Sequence, residues 1–216
     1  MIIVRYADDI VVGFQHETDA RRFLDMMRDR LEEYSLTLHP EKTRLIEFGR
    51  YAASNRKWRG LGKPETFTFL GFTFICGTSR RGYFRIHRKS RRDRMTTKLK
   101  EIKEELRRRM HRPIPVQGLW LRRVVTGFFA YHGVPTNGRA LAAFRFHVLD
   151  LWRRALRRRS QRGDLAWERI AKLADDWLPR PKILHPWPQQ RFAAKHPRWE
   201  PYAGNPHVRF CAGGAQ

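Results

Sequence analysis

Val4-Arg5-Tyr6-Ala7-Asp8-Asp9-Ile10-Val11-Val12-Gly13-Phe14 places two adjacent carboxylates between two β-prone apolar runs. Ile2 to Val4 and Ile10 to Val12 are β-branched, as buried strands tend to be. Asp is a turn residue, so the reversal falls at or next to Asp8-Asp9. The stretch therefore predicts a hairpin that carries two acids at its tip. Adjacent anions repel unless a cation neutralises them. Hard divalent ions such as Mg²⁺ take such oxygen ligands and also bind substrate phosphates. A pair of these ions stabilises the attacking and leaving oxygens of phosphoryl transfer. An ordinary acidic turn gives the same local pattern, so the rest of the chain must decide between the two.

The chain of 216 residues is long enough for one large or two small domains, and its 41% hydrophobic content supports a core. A net charge of +24 implies a polyanionic partner, nucleic acid before anionic membrane. No apolar run approaches the roughly 20 residues that span a bilayer. The N-terminus lacks the basic start and apolar stretch of a signal peptide. Cys76 and Cys211 have neither zinc spacing nor a paired framework, which reads as free thiols in a reducing, cytoplasmic setting. The charge is uneven. Residues 1–50 hold 8 Lys/Arg and 10 Asp/Glu, a net of −2, while residues 51–216 hold 37 and 11, a net of +26. A near-neutral front thus carries the acids and a basic rear follows. Both an enzyme holding nucleic acid against a metal site and a plain nucleic-acid-binding module would divide charge this way.

Downstream, Ala20, Phe23, Leu24, Met27, Leu31 and Tyr34 recur at helical steps and predict an amphipathic helix over 17–34. Ser35 to Leu38 reads as a short strand, and Glu41 to Gly49 as another. Residues 49–66 read as a surface loop. Phe67 to Phe74 reads as one aromatic strand with Gly71 inside it, and Tyr83 to Ile86 as its partner. From Lys89 the period becomes helical. Met95, Leu99, Ile102, Leu106 and Met110 mark a first stripe. Leu119, Trp120, Val124 and Phe128 mark a second, over 116–132. Leu141, Phe144, Val148, Leu149, Trp152 and Leu156 mark a third, over 139–159. Matched stripes imply a small bundle. A fourth helix is expected over 164–173. After Leu178 the chain has seven prolines in 39 residues and no periodicity. Trp177, Trp187, Phe192, Trp199 and Tyr202 there serve either as stacking platforms for bases or as anchors that tie an extended tail down. The fold class is α+β: β-hairpins with one packed helix over 1–88, a helical bundle over 89–175 and an irregular Pro-rich tail over 176–216.

Residues 80–162 carry 25 Lys/Arg and 5 Asp/Glu, a net of +20 on structured helices. Such a surplus repels itself unless phosphates or counter-ions neutralise it. Candidate contacts on the first bundle helix are Arg91, Arg92, Lys98, Arg107, Arg108 and Arg109. Arg122 and Arg123 lie on the second. Arg139, Arg153, Arg154, Arg157, Arg158 and Arg159 lie on the third.

Tyr6-Ala7-Asp8-Asp9 between apolar strands resembles the catalytic motif of reverse transcriptases, in particular the group II intron-encoded reverse transcriptase/maturase family. Further strings match in the family's order. Leu38-His39-Pro40-Glu41-Lys42-Thr43 resembles the segment after the catalytic hairpin. Phe69-Leu70-Gly71-Phe72 resembles the hairpin that grips the primer end. Val124 to Gly133, with Leu151 to Arg154, is similar to the maturase signature of the thumb. The resemblance implies an RNA-directed DNA polymerase/maturase with Asp8 and Asp9 as Mg²⁺ ligands of a two-ion site. It implies Lys42 near the nucleotide phosphates, and Tyr6, Ala7, Leu70 and Gly71 against substrate or primer. Intron RNA, with a DNA target or primer, is the implied partner. In that family the fingers and the first half of the palm precede this hairpin, whereas here Met1 stands five residues before Tyr6. The expectation is a C-terminal part of a split or truncated enzyme, with an exposed sheet edge and no polymerisation without a separate N-terminal half. The alternative is a non-catalytic RNA-binding module that helps intron RNA fold and splice.

Overall fold

The computed structural model describes residues 1–159, 167–188 and 190, and the backbone of 209–214. Among these residues it holds six helices and seven strands in an α+β arrangement. They fall into two compact units, one of Met1–His87 with the C-terminal strand, the other beginning at Arg88.

In the first unit, β1 (Ile2–Tyr6) and β2 (Asp9–Phe14) form an antiparallel hairpin in which Tyr6 faces Asp9, so Ala7 and Asp8 are the two turn residues. Ala7 has φ 51°, the left-handed setting that two-residue hairpins need and that a β-carbon disfavours. Helix α1 (Glu17–Glu32) follows, with Arg21 and Glu17 paired at 2.7 Å one turn apart. The short strand expected at Ser35 to Leu38 is absent. Ser35 has φ 56°, a turn conformation, and the strand after α1 is only β3 (Arg44–Ile46). Residues 49–66, read as loop, contain helix α2 (Ala52–Trp58). Its few apolar residues, Ala52, Ala53 and the exposed Trp58, form no helical stripe, so no such signal announced it. Its position is fixed from outside by Arg59 on Glu47 and by Asn55, which donates to Glu47 at 3.1 Å.

The aromatic run at Phe67 is a second hairpin rather than one strand. Strand β4 (Phe67–Phe69) turns at Leu70-Gly71 into β5 (Phe72–Thr78), and β6 (Phe84–Ser90) completes a sheet of order β4-β5-β6. Leu70 and Gly71 have φ of 47° and 73°, both positive, as a type I′ turn requires, and Gly suits it without strain. Phe67 lies opposite Phe74 and stacks on it at 4.8 Å.

The tail holds a further departure. Residues 209–214 form strand β7, which lies between β2 and β3 and is antiparallel to both, in a sheet of order β1-β2-β7-β3. Val12, Phe14, Ala20 and Phe23 pack between this sheet and α1. Val11, Ile46 and Phe48 pack with Phe67 and Phe69 on the opposite side. Period-two alternation along β2 produces both layers. The free edge is β1, whose five residues are all exposed, Ile2 at 59% and Ile3 at 52%. Among the described residues the sheet thus ends at β1 on one side and at β3 on the other.

The second unit packs α3 (Arg92–Arg108), α4 (Ile114–His132), α5 (Gly138–Arg157) and α6 (Trp167–Trp177). The start expected for α6, from Asp164, lies outside the described residues. The α5 stripe is buried as read, with Trp152, Phe144 and Leu141 fully enclosed. On α4 the core face is displaced by one residue. Leu121, Val125 and Phe129 are buried, Trp120, Val124 and Phe128 flank them, and Leu119 is exposed. Apolar residues surround most of α4, so their spacing could not choose the inner face. Gly118 lies under the Trp177 ring of α6, where a β-carbon would come within 2.5 Å of the indole.

Gln117 is the polar pin of this core. Its Nε2 donates to the carbonyls of Arg109, Met110 and Arg112 at 3.0, 3.3 and 2.9 Å, and its Oε1 accepts from Trp152 Nε1 at 2.9 Å. It caps the end of α3 and satisfies the buried indole. Gln117→Leu leaves these groups without partners at about 1–3 kcal/mol each. The expected loss is about 3 kcal/mol or more in urea unfolding of this unit. A loss below about 1 kcal/mol would mean that water replaces the amide.

Candidate active-site hairpin and basic interface

The hairpin places Asp8 in the turn and Asp9 at the first position of β2, both exposed. Arg5 Nε donates to the Ala7 carbonyl at 3.1 Å and steadies the turn from behind. Neither carboxylate has an ion-pair partner among the described residues. Alternation puts Asp9 on the face of Val11, the face covered by β4 and β5, and Leu70 packs into that same cluster. The second hairpin thus packs on the face of β2 that carries Val11.

Lys42 is exposed in the turn before β3 rather than within a strand. Its level follows from the ladder. Arg44 and Val11 are both partners of Ala212, so they stand level across the sheet. Lys42 precedes Arg44 by two residues, as Asp9 precedes Val11. The turn that carries Lys42 and the hairpin tip therefore lie at the same end of the sheet. His39 Nδ1 and Thr43 Oγ1, which flank Lys42, are buried without a partner. Tyr6 is 64% exposed beside the tip.

Two exposed carboxylates without a protein cation suit a hard divalent ion in donor chemistry. They do not complete a coordination set. Among the described residues no three His, Cys, Asp or Glu side chains converge as a metal site. For such an ion the remaining oxygens would have to come from outside this pair.

The bundle brings its basic residues together in two places. Asn137, at the start of α5, donates to Ser90 Oγ at 2.8 Å and accepts from the Ser90 amide at 3.0 Å, just before α3. At the other end Arg159 donates to the Arg112 carbonyl at 3.1 Å. The two helices are therefore parallel, and their C-terminal ends converge. Arg107, Arg108 and Arg109 meet Arg154, Arg157, Arg158 and Arg159 there. A helix end attracts cations, but with only about half a charge each, so these arginines exceed what two helix dipoles neutralise. Arg91, Arg92 and Arg139 gather at the opposite end, about 25 Å away along a 17-residue helix.

Several of these side chains are occupied in holding the unit together. Arg109 pairs with Glu105 at 2.6 Å and covers the Trp120 ring at 5.1 Å. Arg122 donates to the Trp177 and Asp176 carbonyls and covers the Trp177 ring. Arg153 pairs with Asp150 and lies 5.2 Å over Trp167. Arg91 grips Asp93 through two nitrogens. Lys98, Arg108 and Arg154 form solvent-facing pairs with Glu101, Glu105 and Asp150, contacts worth little in water. Arg92, Arg107, Arg123, Arg139, Arg157 and Arg158 are exposed.

Sequence reasoning passed over Arg145, which ties α5 to α6 through Asp175 at 3.2 Å and the Ala174 carbonyl at 3.0 Å. It also passed over Asn137 and Ser90, which fix His132 within the Val124–Gly133 string. Ser90 Oγ and His132 Nδ1 lie 3.0 Å apart, and burial holds the imidazole below its usual pKa. Trp177 proves to be a helix residue under Arg122, an anchor by position. Phe192, Trp199 and Tyr202 lie outside the described residues.

An α+β unit with an exposed acid hairpin joined to a basic helical unit defines the class. Comparison with known families sharpens it: residues 1–74 match the family described as reverse transcriptase (RNA-dependent DNA polymerase). The front of the chain is thus reverse-transcriptase-like, and the match ends within β5, after the second hairpin turn. No curated protein and no solved structure matches the chain.

Proposed function

We propose that the chain is the C-terminal part of an RNA-directed DNA polymerase/maturase of group II intron type. The observation that carries this reading is the two-residue hairpin with Asp8 and Asp9 exposed at its tip, inside the matched segment. Asp8 and Asp9 would hold Mg²⁺, which when bound supplies charge neutralisation for nucleotidyl transfer. Lys42, at the same end of the sheet, would meet the triphosphate. Leu70 and Gly71, in the hairpin packed on the Val11 face, would face the primer backbone. The converged arginines of α3 and α5 would hold the RNA backbone, since a rigid cluster of guanidinium groups releases counter-ions from phosphates.

The test is primer extension on an RNA template with Mg²⁺, using this chain combined with a separately expressed first half of a reverse transcriptase palm. Template-dependent cDNA supports the reading. A second reading, an RNA-binding maturase module with idle acids, is favoured by the basic bundle alone. It predicts specific RNA binding and no nucleotide addition in any combination.

A further inference from the structure

β2 and β3 are each antiparallel to β7 and hence parallel to one another, and α1 connects them. Without β7 they would stand two strand spacings apart, about 10 Å, with a row of backbone N–H and C=O groups on each side of the gap. β7 fills that gap through six register pairs with β2 and three with β3. Its sequence is compatible with a central place in one respect. A central strand excludes proline, and the seven prolines of residues 178–216 end at Pro206. Gly214 is the register partner of Asp9 and Gly213 that of Ile10, so this strand brings no side chain to the acid end.

We propose that the gap between β2 and β3 is a strand-acceptor site which the chain fills from within, with residues 209–214 as an intramolecular plug that excludes extended segments of other polypeptides. The plug rests on backbone pairing alone and is independent of any role for Asp8 and Asp9. Tethering favours the internal strand. A strand of the same chain competes intramolecularly, at an effective concentration a free competitor seldom reaches. Access for an outside strand therefore requires that residues 209–214 withdraw.

Cysteine cross-linking in the full chain tests the register. Leu45 and Cys211 are partners, and antiparallel partners lie about 4.5–5.5 Å apart at Cα, within the span of a disulfide. In a Cys76→Ser background, Leu45→Cys should oxidise to an intramolecular disulfide with Cys211 at least tenfold faster than Thr18→Cys, which lies on α1. Equal rates, or mainly intermolecular products, would overturn the proposal. A second variant, Ala212→Pro, removes a ladder hydrogen bond from the plug. Amides of Val11–Phe14 and Arg44–Ile46 should then exchange at least tenfold faster, while those of Leu121–Phe129 in the second unit keep their rates. Added peptide with the sequence of residues 209–214 should restore protection. Unchanged exchange in β2 and β3, or no rescue by the peptide, would contradict an acceptor site.

Discussion

Replacing Arg107, Arg108, Arg154, Arg157 and Arg158 together with glutamine is expected to weaken binding of structured RNA by about 10² to 10⁴-fold near 0.1 M salt. The five lie where the C-terminal ends of α3 and α5 converge. All are exposed, and only Arg108 and Arg154 have an ion-pair partner among the described residues. Arg109, Arg153 and Arg159 stay, because their contacts to Glu105, Asp150 and the Arg112 carbonyl hold the helices together. Each phosphate contact releases about 0.7 to 0.9 of a counter-ion, so losing all five should also flatten the salt dependence by about 3.5 to 4.5 units of slope. Guanidinium charge does not titrate, so the loss should persist to pH 9. Arg21, Arg22, Arg28 and Arg30 form the control set. Three of them already pair with Glu17, Asp25 and Glu33 on α1. Filter binding at several salt concentrations gives the readout. An equal loss in the control set would mean diffuse attraction and no dedicated surface on the bundle.

The second large effect concerns the hairpin. Where this chain extends a primer in combination with a palm-supplying partner, Asp8→Asn should lower kcat by about 10³-fold or more. An amide is a poorer ligand than a carboxylate, and a metal's charge stabilisation is worth several kcal/mol in such reactions. Asp9→Asn should cost less. Asp9 is held in the β1–β2 ladder opposite Tyr6 and aims along the Val11 face, whereas Asp8 occupies the turn itself. Both variants should keep the wild-type fold, since both side chains are exposed. Full activity in Asp8→Asn would remove the hairpin from the chemistry.

Much of the framework was legible because local signals and tertiary demands agree. The α5 stripe from Leu141 to Leu156 predicts its own burial, and the Tyr6–Asp9 turn follows from strand propensity on either side. Legibility failed where the deciding partner is distant. The inner face of α4 is chosen by α5 and α6, through Gly118 under Trp177 and Gln117 under Trp152. The residue pattern read the second hairpin as one strand because Phe69-Leu70-Gly71-Phe72 is aromatic and apolar throughout; the resemblance alone implied a hairpin there, and the positive φ values of Leu70 and Gly71 place the reversal. Nothing local marks residues 209–214 as a strand, because their partners lie about 170 to 200 residues earlier. For the site, the carboxylates and Lys42 were visible one by one, but their shared end of the sheet emerges only from the β2-β7-β3 register. The arginines were likewise visible, and the parallel packing of α3 and α5 shows which of them converge.

The most direct measurement is a Mn²⁺ titration of the isolated chain, read as paramagnetic broadening of backbone amide resonances. It needs neither partner nor substrate. The account predicts selective broadening from Tyr6 to Ile10 at sub-stoichiometric Mn²⁺, lost in Asp8→Asn and weakened in Asp9→Asn. Glu32-Glu33, another exposed pair of adjacent acids, is the internal reference. Broadening at Glu32-Glu33 equal to that at the hairpin, or persistence of the hairpin effect in Asp8→Asn, would contradict the claim that this tip is a metal site.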